Sequence, residues 1–262
     1  MSAPIRLIVN GATGRMGQAL LGLIRDDTRF DLRAAIASTR HAGRSVFATG
    51  DALAYSDTLP VDKIADVVID FSGPAGLASA LDYCERHSVA LVTGTTGIDS
   101  ALQARLDATS IALLHAANFS LGIAVLTRVL RQASSALRDW DLEIVEAHHN
   151  RKEDAPSGTA LALGHAAAAA RNTTLEQSAV YVREGRPGPR KTGTIGFSVI
   201  RGGDIVGEHN AMLIGQGERV ELSHRATDRV IFARGAIEAA RWLVGKAPGH
   251  YDLDAMLAER GG

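Results

Sequence analysis

Between Glu146 and Ala160 the chain reads EAHHNRKEDAPSGTA, a stretch whose side chains are of the types that move protons and hold anions. His148 and His149 stand side by side, Lys152 follows, and Pro156-Ser-Gly-Thr159 opens a helical pattern. Imidazole is the usual acid–base group near neutral pH, and lysine is a compact cation with three donors. Ser157 is an N-cap candidate, which would leave the N–H groups of Gly158 and Thr159 facing an anion. A proton donor, a lysine and an anion cradle within a dozen residues suit a small carboxylate substrate. A zinc site is the poorer reading. Adjacent residues on a strand point to opposite faces, and no cysteine cluster or HExxH pattern supplies further ligands. A histidine satisfied in the core is the plain alternative for one of the pair. Asp154 reads as a loop residue bonded to backbone.

A second motif lies near the start. Gly11-Ala-Thr-Gly-Arg-Met-Gly17 follows the apolar run Ile5–Val9 at once and precedes a helical pattern over Gln18–Arg25. Glycines in a strand-to-helix turn let backbone approach a pyrophosphate, and the helix start offers free N–H groups and a positive dipole end. Arg15 would add charge. The end of the next strand, AAIASTRHAGR, has Ala37 or Ser38 where NAD binders carry an acid. Ser38, Thr39 and Arg40, with Arg44 in reserve, would instead hold a 2′-phosphate, so NADPH is favoured over NADH.

The elements that must position these groups alternate. Strand patterns cover Ile5–Val9, Leu32–Ala37, Val67–Phe71, Val89–Thr93 and Ile111–Leu114, with helices between them. Nearly all-apolar strands separated by helices mean a parallel sheet covered on both faces. Ser72-Gly-Pro, Gly94-Thr-Thr-Gly97 and Ala116-Ala-Asn-Phe119 each follow a strand, on the edge where such sheets bind ligands. After Phe119 the rhythm changes. A long helix over Leu121–Leu137 leads to a strand over Asp141–His149 and a helix over Thr159–Arg171. Four strands are then expected between Ser178 and Arg225, beginning with SAVYVREG, and a helix over Asp228–Gly245. Consecutive strands suggest an antiparallel or mixed sheet in a second domain, and the final helix could return to the first.

The bulk numbers fit an ordinary globular protein: 262 residues, 46% hydrophobic, 22% charged and a net charge of -1. That charge argues against nucleic acid as the main partner. Cys84 is the single cysteine, which excludes an intrachain disulfide. The first residues lead into a strand pattern rather than a signal peptide, and no apolar run is long enough to span a bilayer. A reducing cytoplasm is the expected location.

Taken together, GATGRMG, GTTG, AANFS, EAHHNRKEDAPSGTA and TIGFSVIRGGDIVGEH closely resemble the 4-hydroxy-tetrahydrodipicolinate reductase (dihydrodipicolinate reductase) family of lysine biosynthesis, over nearly the whole chain. The resemblance implies an α/β fold: an N-terminal Rossmann-type parallel sheet over 1–119 and 226–262, and an α+β substrate and tetramerisation domain on an open mixed sheet over 120–225. It implies an NAD(P)H-dependent reduction of a cyclic hydroxylated dicarboxylate with loss of water, no metal, and a homotetramer. By the same resemblance His148 is the acid/base, Lys152 the proton donor, and His149, Gly158 and Thr159 bind substrate. Gly11, Ala12, Thr13, Gly14, Arg15 and Met16 would contact cofactor, as would Gly94, Thr95, Thr96, Ala116, Ala117, Asn118 and Phe119. The position of Ala37, with Ser38 and Arg40 beside it, departs from members that use NADH.

Overall fold

The computed structural model describes residues 3–47 and 53–260. The chain forms two compact units, Met1–Leu121 with Val230–Gly262, and Gly122–Arg229.

The first unit opens with β1 (Ile5–Asn10), α1 (Arg15–Ile24), β2 (Phe30–Ile36) and a two-residue β3 (Tyr55–Ser56). It continues with β4 (Val67–Asp70), α2 (Pro74–His87), β5 (Ala90–Thr93), α3 (Ser100–Asp107) and β6 (Ala112–His115). The second unit holds α4 (Leu121–Ala136), which begins one residue before its boundary, then β7 (Asp141–His148), α5 (Gly158–Ala170), α6 (Leu175–Ser178) and β8 (Ala179–Val180). It ends with β9 (Ile195–Arg201), β10 (Gly207–Ile214) and β11 (Arg219–Ala226), before α7 (Val230–Leu243), β12 (Gly249–Tyr251) and α8 (Leu253–Arg260) rejoin the first unit.

The first sheet has the order β12-β6-β5-β4-β1-β2-β3, and every pairing is parallel. Its central strands are buried on both faces: all four residues of β4 and of β5 are buried. On one face Ile8, Val68, Leu91 and Leu113 meet Leu77, Leu81 and Tyr83 of α2 and Leu106 of α3. α7 packs on β4, β5 and β6, and against α1. It comes so close that a Cβ on Gly235 would collide with the carbonyl oxygen of Phe119. The far end of the sequence thereby sets the turn that follows β6.

The second sheet is mixed, with the order β11-β10-β7-β9-β8. β10 pairs antiparallel with β7 and β11, while β9 lies parallel to β7 and β8. Its central strands β7 and β10 alternate in burial, as strands with one dry face do. Leu142, Ile144, Ile195, Phe197, Ala211 and Leu213 form a core with Ile123, Leu126 and Leu130 of α4 and Ala160, Leu163 and Ala167 of α5. The opposite residues, such as Val145, Asn210 and Met212, are only partly covered. The fold class is therefore the expected one, a Rossmann-type parallel sheet with a second α+β unit on a mixed sheet.

The predicted strand over Ser178–Gly185 shrinks to Ala179–Val180. Leu175–Ser178 is a short helix whose Ser178 hydroxyl donates to the Thr174 carbonyl at 2.8 Å, and β8 pairs with only the first two residues of β9. Beyond Val180, side chains hold the segment instead of a ladder: Tyr181 stacks on Phe197 and Arg183 grips Glu143 at 2.9 Å through both nitrogens. β3, β12 and α8 add elements with too little apolar pattern to be seen in the sequence. Among the described residues no helix is long and apolar enough to cross a membrane.

Candidate active site

In the second unit the chemistry gathers around one carboxylate. Glu146 and His148 are two apart on β7, so they share a face. The parallel register sets His148 opposite Arg201 on β9, and the antiparallel register sets Glu146 opposite His209 on β10. Glu146 is 1% exposed. Its Oε2 meets His148 Nδ1 at 2.6 Å and accepts from Arg201 Nη1 at 2.8 Å. Its Oε1 accepts from Arg201 Nη2 at 2.8 Å and from the Ser157 N–H at 3.0 Å. Burial pushes this carboxyl up, but the Arg201, His148 and Ser157 hydrogen bonds outweigh it and hold the group below the usual carboxylate range.

Ser157 caps α5: its hydroxyl accepts from the Ala160 N–H at 3.2 Å and lies 3.2 Å from His209 Nε2. The helix begins at Gly158, which is exposed, and a Cβ there would meet open space. The start of this 13-residue helix carries the positive end of its dipole. The His148 and His209 rings pack edge to face at 5.3 Å. Gly207 makes room for the His148 ring, since a Cβ there would stand 3.1 Å from Nε2.

Lys152 Nζ lies 2.7 and 2.8 Å from the two oxygens of Asp154. Asp154, read from sequence as a loop residue bonded to backbone, accepts such a bond and is also the charge partner of this lysine, while its backbone carbonyl accepts from Arg201 at 2.7 Å. The Arg151 N–H donates to His149 Nδ1 at 3.2 Å, so the second histidine faces its own loop. Burial first, then Arg229 and Arg151, lower the His149 imidazole from its ordinary range. His148, His149, Lys152, Gly158 and Thr159 thus lie within one strand end, one loop and one helix start.

The first unit presents the strand-end crevice. Gly11 has φ +80°, and a Cβ there would stand 2.5 Å from the Phe71 carbonyl oxygen. Only glycine turns so close to a neighbouring strand. A cavity of about 740 Å³ is lined by Gly11, Thr13, Gly14, Ala37 and Ser38 together with Ser72 and Asp57. A second, of about 300 Å³, is lined by Met16, Gly94, Thr96, Ala117, Asn118 and Phe119 with Phe71 and Phe232. Ala12 is buried beneath the turn, where its N–H donates to the Ile36 carbonyl. Ala116 donates to the Thr93 carbonyl. Arg15 and Arg40 are exposed and line neither cavity. These hollows, with hydroxyls, backbone and side-chain-free glycines along the carboxyl ends of the strands, fit a dinucleotide.

Sequence reasoning missed what holds that crevice. Asp70, fully buried at the end of β4, accepts from Asn10 at 2.8 Å, Ser72 at 2.5 Å, Thr93 at 2.8 Å and Thr95 at 2.6 Å. Four neutral donors from three strand ends converge on one carboxylate. Thr95 is drawn inward by this bond, and its carbonyl meets His115 Nε2 at 3.1 Å. Glu146 was within reach of the sequence, two residues from His148 on a strand, whereas Arg201 and His209 required the sheet order.

The chain matches the family model described as "Dihydrodipicolinate reductase, N-terminus" over residues 5–119 and that described as "Dihydrodipicolinate reductase, C-terminus" over 122–257. It is 44% identical to the 4-hydroxy-tetrahydrodipicolinate reductase of Acinetobacter baumannii, covering 98% of this chain and 97% of that one. It is also 44% identical to the enzyme of that name from Caulobacter vibrioides, covering 98% of each. Among solved structures it is similar to a dipicolinate-bound dihydrodipicolinate reductase from Paenisporosarcina sp. TG-14, with a TM-score of 0.75 at 20% identity over 95% of this chain and 97% of that one.

His209 provides a pH test of this geometry. Burial, then the neighbouring His148, push its imidazole down to about 4. An unfolded histidine titrates near about 6.5, so between these values the unfolded chain binds the extra proton. The contribution is whole above about pH 6.5 and is lost as pH falls towards 4, by at most about 3 kcal/mol. In urea denaturation, His209→Gln should lose stability less steeply than the parent between pH 7 and pH 4.5. Parallel losses in the two proteins would refute it.

Proposed function

The chain belongs to the dihydrodipicolinate reductase family, and on that premise we propose that it reduces 4-hydroxy-tetrahydrodipicolinate to tetrahydrodipicolinate with loss of water, in lysine (diaminopimelate) biosynthesis. The observation that carries this reading is His148, held through Nδ1 by Glu146 and bonded through the same carboxylate to the residue before Gly158. An acid–base group and a helix start are joined there by a single side chain.

A dinucleotide held along the strand ends at Gly11, Thr13, Gly94 and Asn118 would supply the hydride. The substrate's hydroxyl leaves as water only if a proton reaches it, and this proton is the task of the protein. Lys152 gives the proton, with Asp154 holding its ammonium in place. His148 acts as acid/base at Nε2, the nitrogen that Glu146 leaves unclaimed. His149 helps hold the ring, and the Gly158 and Thr159 end of α5 takes a substrate carboxylate through the helix dipole. The cofactor contacts are Gly11, Thr13 to Met16, Gly94, Thr96 and Ala116 to Phe119, with Ala37, Ser38 and Arg40 at the adenosine ribose; Ala12 and Thr95, expected among them, are buried beneath the turns and support them instead. The lack of an acid at Ala37 and the exposed guanidinium of Arg40 favour NADPH over NADH. Asp57, lining the same cavity as Ser38, tempers that preference. The partly covered face of the second sheet is the surface for a homotetramer, and the working location is the cytoplasm.

Substrate generated in place from pyruvate and aspartate semialdehyde should drive NADPH oxidation, read at 340 nm. Lys152→Ala should lower kcat by about 10²–10⁴-fold with NADPH affinity unchanged; no oxidation by the parent protein rejects the reductase assignment. Arg40→Ala should weaken NADPH at least roughly tenfold while sparing NADH, and equal losses remove Arg40 from the phosphate site. Light scattering of the purified protein should give four times the 27.6 kDa chain mass. A single-chain mass excludes the tetramer.

A further inference from the structure

The geometry points to Glu146 as a positioning residue that fixes which nitrogen of His148 carries its resident proton and, through the same carboxylate, ties that imidazole to α5 and to the Lys152 loop. This rests on the reading of His148 as the acid/base. Four hydrogen-bond contacts converge on the Glu146 oxygens, and three of them can only be donated to it. Arg201 gives two, from a guanidinium that does not deprotonate, and the Ser157 backbone gives one. With its oxygens committed as acceptors, the 2.6 Å contact to His148 requires the hydrogen on Nδ1. The lone pair, and the proton when the ring is charged, therefore sit on Nε2. Gly207 stands at the other end of the ring, where a side chain would crowd it.

The same carboxylate also sets positions. Its Oε1 takes the N–H of Ser157, the residue immediately before Gly158. Arg201 holds both carboxylate oxygens and reaches on to the Asp154 carbonyl, in the loop whose Asp154 side chain pairs with Lys152. Since Glu146 carries one negative charge and Arg201 one positive, the pair is balanced whether His148 is neutral or charged. The imidazole can cycle without leaving an uncompensated carboxylate in the interior.

Glu146→Gln tests this with little change of shape. A glutamine has one acceptor oxygen, for which Arg201 and the Ser157 N–H compete, so its NH₂ is turned to His148. The imidazole must then accept at Nδ1 and carry its hydrogen on Nε2. Long-range ¹⁵N–¹H spectra of histidine-labelled protein at pH 8, with His148 assigned by comparison with His148→Asn, read this directly and need no substrate. The parent should show Nδ1–H and the Gln variant Nε2–H. In the reductase assay kcat should fall at least about 100-fold, with KM for NADPH within about threefold. Glu146→Asp, which keeps the charge, should retain Nδ1–H and recover at least roughly tenfold of the lost kcat. An Nε2–H tautomer in the parent overturns the proposal even where the Gln variant fails to fold. So does an Asp variant that keeps Nδ1–H yet is as slow as the Gln variant. A parent with Nδ1–H and no reductase activity would instead overturn the assigned reaction and leave the tautomer assignment standing.

Discussion

A carboxylate at 1% exposure is tolerable only if its surroundings replace the water it has lost, and Glu146 makes that demand of its whole unit. Arg201 must come from β9, Ser157 from the head of α5, and His148 from two residues along β7. Removing one partner from a buried ion pair typically costs about 3–5 kcal/mol, because the other is left uncompensated. The parallel pairing of β7 with β9, the entry of α5 and the placement of the Asp154 loop are thus linked through one side chain. Energetic necessity and chemical usefulness coincide at this point: the bonds that make the buried charge acceptable also orient the ring.

The first unit meets a similar demand by different means. Among the described residues the hydrogen-bond partners of Asp70 are an amide and three hydroxyls, with no cation. These come from the ends of β1, β4 and β5, the edge where open parallel sheets bind ligands. Hydroxyls and one amide satisfy this buried carboxylate without a cation.

Much of this was legible locally. The glycine turn announces itself because its spacing, the strand before it and the helix after it are contiguous. His148, Lys152 and Ser157 likewise fall within one short stretch. Alternation along β7 was enough to place Glu146 on the His148 face. The rest was hidden because it is non-local: Arg201 stands 55 residues from Glu146, and Asn10 stands 60 from Asp70. Sheet order and register create those pairings, and a linear pattern does not encode them. The expected strand after Ser178 failed for a related reason. Its residues are strand formers, yet β9 offers a partner only as far as Val180, and Tyr181 and Arg183 find side chains instead.

The return of the chain to its first sheet also has a consequence in time. β12 pairs with β6, and α7 covers β4 and β5, but both are encoded after all of the second unit. During synthesis the second unit has its entire sequence available first, while the parallel sheet waits with one edge unpaired and one face bare. Such an edge is a template for wrong partners until it is closed. Completion of the parallel sheet is therefore a late event, timed by the emergence of the residues of α7 and β12 from the ribosome. A chain cut short after Ala226 would retain every strand of the second sheet yet lack the helix that braces Phe119.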